Sequence, residues 1–271
     1  NEAGVRTAGD ILFIGNVGEE GVGDLRGMKH LFREGGPRID AFISVDGTGH
    51  HGITHMGLGS HRYRVTFHGP GGHSWGAFGL ANPHHALGRA IRYFQDGADP
   101  YVRHAPFRTS YNVGRIGGGT SVNSVPFESW MEIDMRSEGD TTLEAVDAIL
   151  QGAVQRALAE ENQLRQRGEP LTVEVAMIGD RPSGVTPEDH PFVQQAVAVT
   201  EALGGLPSLG RSSTDSNIPI SLGIPAITIG GGGIGRGAHS LDVWFINQDG
   251  PVGVQRTLLI ALAQARLSPA S

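Results

Sequence analysis

The chain has 271 residues and a formal charge of −7. That is enough for one large domain or two ordinary ones, without the basic footprint of a nucleic-acid or anionic-membrane binder. It has no cysteine, which excludes disulfides, thiolate metal sites and cysteine nucleophiles. Its 42 glycines are about twice the usual share and announce many tight turns; the longest apolar runs, such as Thr257 to Ala263, fall well short of the ~20 residues that span a bilayer.

In chain order, the run Ile11-Leu12-Phe13-Ile14, bounded by Asp10 and Gly15, predicts a parallel strand covered on both faces. A loop from Gly15 to Gly21 precedes a helix with Leu25, Met28, Leu31 and Phe32 on one face. A second strand is expected at Ala41 to Val45, ended by Asp46-Gly47, so the opening segment reads as a βαβ unit. From about residue 60 the pattern turns to alternation: Tyr63, Val65 and Phe67 against Arg62, Arg64 and Thr66 predict a half-exposed strand. Asn82-Pro83 reads as a helix cap and first-turn proline, followed by Ala86, Leu87, Ala90, Ile91 and Phe94 on one face. Strands near 109–116 and 129–135, a helix through Leu143, Val146, Leu150, Val154 and Leu158, and a strand through Leu171, Val173, Val175 and Met177 complete the order βαββαβ of a ferredoxin-like sandwich. Beyond Gly179 come a helix at about 187–203, a loop rich in serine and glycine, a buried strand at Ala226 to Ile229, a glycine-rich loop to His239, and a last helix at about 251–267. The division this implies is an α/β domain from 1–59 and 181–271, with a smaller α+β domain inserted at 60–180.

Ligands in open α/β sheets sit beyond the carboxyl ends of the strands. Three strands of the main domain are followed there by Glu19-Glu20, by Asp46 and by the loop carrying His239. Carboxylates and an imidazole without sulfur suit zinc, manganese or cobalt. In an extended backbone adjacent side chains point oppositely, so one glutamate can hold a metal while the other faces its water, whose pKa the metal lowers to about 7. Taken singly, Glu19-Glu20 is equally a solvated loop, Asp46 a turn aspartate and His239 a surface histidine. Gly230, Gly232 and Gly235 match G-x-G-x-x-G after a strand, but no helix opens there and the rim is acidic, which argues against a bound pyrophosphate.

Gly18-Glu19-Glu20-Gly21, Val45-Asp46-Gly47, Gly69-Pro70-Gly71-Gly72-His73-Ser74, Asn123-Ser124-Val125-Pro126, Asp134-Met135-Arg136, Ser213-Thr214-Asp215-Ser216-Asn217 and Gly237-Ala238-His239-Ser240 follow one another in order. Together they resemble the co-catalytic-zinc peptidases and deacylases, the family of peptidase T, acetylornithine deacetylase, succinyl-diaminopimelate desuccinylase and glutamate carboxypeptidase. The resemblance implies an α/β catalytic domain with an inserted ferredoxin-like dimerisation, or lid, domain. It implies a metal-dependent amidohydrolase acting on a peptide or an N-acyl amino acid, with two Zn2+ per complete site (Mn2+ or Co2+ alternatively). It makes Glu19 the general base; Glu20 and His239 ligands of one metal; and Asp46 a ligand of the other. His73 would polarise the scissile carbonyl from a partner subunit. Asn123 and Arg136 would hold substrate, Arg136 through a bidentate grip on a carboxylate, and Thr214, Asp215 and Asn217 would shape the pocket. The resemblance also implies a homodimer through the inserted domain; separately, the absence of cysteine leads to the expectation of a cytoplasmic location, and the acidic charge and short apolar runs to that of neither nucleic acid nor membrane as partner.

The family's remaining ligands, a histidine in a His-x-Asp stretch and a bridging aspartate, lie ahead of the Glu-Glu loop. The residues before Glu19 hold Asp10 but no histidine. The expectation is a chain lacking the N-terminal part of the catalytic domain, and with it a competing reading: an inactive dimerising fragment with a vestigial metal site. His50, His51 and His55 lie just after Asp46 and are expected in a solvated loop. Val243 stands where the family commonly has an acidic residue.

Overall fold

The structure, a computed structural model, describes residues 4–268. The chain divides into two compact units, one made of residues up to 58 together with those from 182 on, the other of residues 59–181. In the first unit a 3-10 turn at Gly21–Gly23 leads into a short helix α1 (Arg26–Leu31), then strands β1 (Phe42–Val45) and β2 (Gly52–Gly57). Leu25 and Met28 bury their side chains against Ile218, with Leu31, Phe32 and Phe42 packed alongside. The helical face read from the sequence is therefore the one that is buried.

Ile11 to Ile14 is not a strand. Leu12, Phe13 and Ile14 are exposed, Phe13 at 93%, and the opening βαβ unit does not form. An apolar run becomes a buried strand only where a neighbour completes its backbone ladder. Strand β1 pairs on one side alone, so among the described residues nothing takes up residues 11–14.

The inserted unit follows the alternating pattern closely. It comprises β3 (Gly59–His68), β4 (Gly72–His73), α2 (Pro83–His104), β5 (Thr109–Gly118), β6 (Ser124–Val125), β7 (Glu128–Ser137), α3 (Asp140–Leu164) and β8 (Thr172–Arg181). Its four long strands lie in the order β5-β7-β3-β8, every neighbour antiparallel. Val65, Phe67, Met131, Ile133 and Met135 point from the sheet into one core with Ala86, Ala90 and Phe94 of α2 and Leu143, Val146 and Leu150 of α3. Both helices cover that face. The other carries Arg62, Arg64, Trp130, Glu132, Asp134 and Arg136, the positions that alternate with the core residues. Asn82 caps α2 as read, its side chain accepting from the His84 amide, with Pro83 in the first turn.

The chain then returns through β9 (Gly184–Val185), α4 (Pro191–Ala202), β10 (Ser208–Ser212), α5 (Asn217–Ser221), β11 (Ala226–Ile229), a hairpin of β12 (Ile234–Arg236) and β13 (Trp244–Ile246), and α6 (Gly250–Ala265). The sheet order is β1-β11-β2-β10, with β9 on β2. Strand β1 runs parallel to β11, and β2 is antiparallel to it. Ile53, Ile227 and Ile229 meet Phe192, Val193 and Ala196 of α4 and Ile260 of α6. Helix α4 starts at Pro191, four residues later than read, because His190 caps it by accepting from the Phe192 amide. Histidine 55 lies in β2, buried, with Nδ1 2.7 Å from the Thr186 carbonyl. It is a core histidine, contrary to the solvated loop expected from its neighbours. Arg256 of α6 is fully buried, donating from Nε to the Thr200 hydroxyl and from Nη2 to the Gly52 carbonyl; burial pushes its guanidinium down to about 10.

Candidate active site

In the first unit the acidic loop is held from beneath. A Cβ on Gly27 would stand 1.8 Å from Asn16 Oδ1 and 2.5 Å from the Val17 carbonyl, so only glycine lets α1 lie this close to the loop. Asn16 in turn donates to Asp215 Oδ2 at 2.6 Å, and the Gly23 amide donates to the Glu20 carbonyl at 2.8 Å. Glu19 is half-buried and Glu20 exposed, both in irregular backbone rather than at a strand end. Asp46 follows β1 and is exposed; its amide donates to the Ile229 carbonyl at 2.9 Å. The Gly231 amide donates to the Gly47 carbonyl at 3.2 Å. Asp46 and the loop leading to His239 therefore leave neighbouring parallel strand ends, as read. His239 is exposed, with φ +64.

Among the described residues no group of three or more His, Asp or Glu comes together that could hold a metal ion. A zinc site takes three or four protein ligands; Glu20, Asp46 and His239 do not form one. The donor set as it stands does not fit a resident metal.

The Ser213–Asn217 segment is a buried hub. Thr228 of β11 meets the Thr214 and Ser216 hydroxyls, each at 2.7 Å. Asn217 is fully buried and its carboxamide is occupied by main-chain groups. Thr214 is also buried. These two hold the loop in shape through buried bonds; Asp215 is half-buried and bound to Asn16.

In the inserted unit β4 pairs with β6, placing His73 opposite Ser124. The Ser74 amide donates to the Asn123 carbonyl at 2.8 Å. His73 and Asn123, fifty residues apart, are thus brought to one exposed ribbon. The amides of Trp75 and Gly76 point at His73 Nδ1, 3.2 and 3.3 Å away. Two N–H donors on Nδ1 make it the acceptor, so in the neutral ring the proton sits on Nε2. Trp75 beside it is 88% exposed and belongs to no periodic pattern. Arg136 donates from Nε to Asp134 Oδ2 and Arg62 from Nε to Asp134 Oδ1, both at 2.7 Å. Burial raises the Asp134 carboxyl, but hydrogen bonds from Arg136 and Arg62 and their charge outweigh it and hold the group below the usual carboxylate range.

Residues 58–162 match the peptidase dimerisation domain, M20_dimer. The fold is shared with aminopeptidase PepT from Bacillus cereus, 24% identical over 92% of this chain and 61% of that one, with a TM-score of 0.66. A tripeptidase from Staphylococcus aureus is 19% identical, over 93% of this chain and 63% of that one, also with a TM-score of 0.66. An amidase of the hydantoinase/carbamoylase family from Burkholderia vietnamiensis is 18% identical over 87% and 57%, with a TM-score of 0.60. No curated protein sequence matches the chain. Residues 58–162 are thus similar to the dimerisation domain of the M20 peptidases, and the chain shares its fold with these solved peptidases and amidohydrolases. It spans about three fifths of the length of these solved peptidases. Among the described residues no helix is long and apolar enough to cross a membrane.

Proposed function

We propose that this chain belongs to a dimeric amide hydrolase, one that cleaves a peptide or releases the acyl group of an N-acyl amino acid. The observation that carries the reading is the His73 ring. Its Nδ1 is occupied by two backbone N–H groups, so Nε2–H is the donor offered to a substrate. A preset donor of this kind stabilises the oxyanion that develops on a scissile carbonyl. Asn123, on the same ribbon, adds a carboxamide able to hold the substrate's main chain. Arg136 is held through Nε, which leaves its two terminal nitrogens for a substrate carboxylate. Glu19 takes a proton from the attacking water and delivers it to the leaving amine. Peptides and N-acyl amino acids share the planar amide and nearby carboxylate that His73, Asn123 and Arg136 would recognise.

The test is amine release from a panel of di- and tripeptides and N-acyl amino acids, with His73→Ala and Glu19→Gln compared with the parent protein. Loss of one oxyanion donor should lower kcat by about 10²–10³ with a smaller change in KM. Full turnover in His73→Ala would remove that residue from the reaction. A second reading, a dimerising chain without hydrolytic activity, is favoured by one observation: Glu20, Asp46 and His239 do not gather as ligands. A dimer that binds no zinc in titration and releases no amine from any member of the panel would establish it instead.

A further inference from the structure

We propose that Arg167 is a positioning residue for His73: it grips the loop after the histidine and so keeps the ring in the form that carries its proton on Nε2. The inference rests on the reading of that N–H as an oxyanion donor, and every residue it uses lies within the inserted unit. The two amides on His73 Nδ1 differ in how they are held. Trp75 follows directly on Ser74, whose own amide is tied across the ribbon to the Asn123 carbonyl at 2.8 Å. Gly76 lies one residue further from that tie. A Cβ there would meet nothing within 4 Å, so packing does not fix this residue, and glycine has the widest backbone freedom of all. Hydrogen bonds must fix it instead.

The peptide plane that joins Gly76 to Ala77 is held at both ends. The Ala77 amide donates to the His73 carbonyl at 2.7 Å, and the Gly76 carbonyl accepts from Arg167 Nη2. A hydrogen bond from a charged guanidinium is among the stronger kinds. Arg167 stands on the connection between α3 and β8, and that connection is itself locked to the loop. The amides of Gln166 and Arg167 both donate to the Gly79 carbonyl, at 2.8 and 3.2 Å. Gly168 takes φ +74, and a Cβ on it would lie 2.3 Å from Leu80 Cδ2, so glycine lets Leu80 close over the connection. Arg167 thus holds the loop twice, by its main chain at Gly79 and by its side chain at Gly76. Without the second hold the Gly76 N–H is free to turn away from Nδ1, and a ring nitrogen that loses a donor can carry the proton itself.

Arg167 is exposed, so replacing it leaves no buried cavity and the fold should survive. Arg167→Met keeps the stem and removes the donors; Arg167→Lys returns one cationic donor. In the full chain labelled with 15N-histidine, the His73 signals are identified by their loss in His73→Ala. At a pH where the ring is neutral, its two nitrogen shifts report which one carries the proton. The expected result is a single Nε2–H form in the parent, a mixture of both forms in Arg167→Met, and recovery in Arg167→Lys, with melting temperatures unchanged. A merely structural arginine would move the melting temperature and leave the proton where it was. The Gly76 amide should also exchange about tenfold faster in Arg167→Met, and amine release should show kcat lowered by about tenfold with KM little altered. An undiminished Nε2–H form in Arg167→Met overturns the proposal, as does a parent ring with its proton on Nδ1. Full turnover in His73→Ala would instead strike the oxyanion reading, while the nitrogen shifts would still decide whether Arg167 sets the ring.

Discussion

Asp134 shows how a motif residue can be real and yet have its first duty in the fold. Its two carboxylate oxygens each take one arginine, Arg62 from the neighbouring strand and Arg136 from its own. The folded carboxyl titrates below its ordinary value, so the folded state binds its proton less readily than the unfolded chain does. The bracket therefore contributes stability above the unfolded value of about 3.9 and loses it as pH falls through the lower folded value. The group is partly exposed, so Asp134→Asn should cost only about 1 kcal/mol at neutral pH. Denaturant midpoints of the two proteins should then converge on acidification below pH ~4. A gap that stays constant down to pH ~3 would show that charge pairing is not the cause. Some residues were legible from the sequence alone and others were not, for a physical reason. The histidine at 73 and the asparagine at 123 carry polar groups on glycine-rich exposed turns, where a side chain has little else to do. Asn217 sits in the same kind of motif, yet is consumed by main-chain carbonyls at 58 and 182. No local pattern reveals partners that distant.

Among the elements, the inserted unit was readable because each strand and helix has one face on the same core. Period-two and period-3.6 patterns then survive intact. The first unit obscures them. Strand β10, Ser208-Leu209-Gly210-Arg211-Ser212, has one large apolar residue. Strand β2 hides behind three histidines, one of which is buried only because Thr186 supplies a carbonyl. Ile11 to Ile14 errs in the opposite direction: strong strand composition with no ladder partner. Proline separates composition from pairing. Phe13→Pro removes an amide that no ladder uses and should shift stability by less than about 0.5 kcal/mol. Ile227→Pro, in a strand paired on both sides, removes a ladder amide in the core and should cost about 3 kcal/mol or more. Thermal melts of the two variants beside the parent decide it. A large loss from Phe13→Pro would mean that residues 11–14 are paired in solution.

For the whole molecule, the two units differ in how completely they bury what they have. The inserted unit keeps Val65, Phe67, Phe94, Met131, Met135, Val146 and Leu150 fully out of solvent, and every member of that core lies within residues 59–181. The first unit leaves Leu12, Phe13, Trp244, Phe245 and Ile246 exposed. Large apolar surface of that kind is uncommon on an isolated monomer. The stretch 59–181, roughly 120 residues, is of ordinary domain size, and among the described residues its strands pair with one another alone. It should therefore fold when expressed alone, with one cooperative urea transition. Dimerisation gives the second expectation. Among the described residues strands β5 and β8 end the sheet with unpaired backbone edges, and an open edge is a template for a further strand. The isolated 59–181 piece should sediment as a dimer at micromolar concentration. Its unfolding midpoint should rise with protein concentration, because association stabilises only the folded form. A monomer with a concentration-independent midpoint would show that this piece does not dimerise, and an unfolded piece would show that its core depends on the first unit after all.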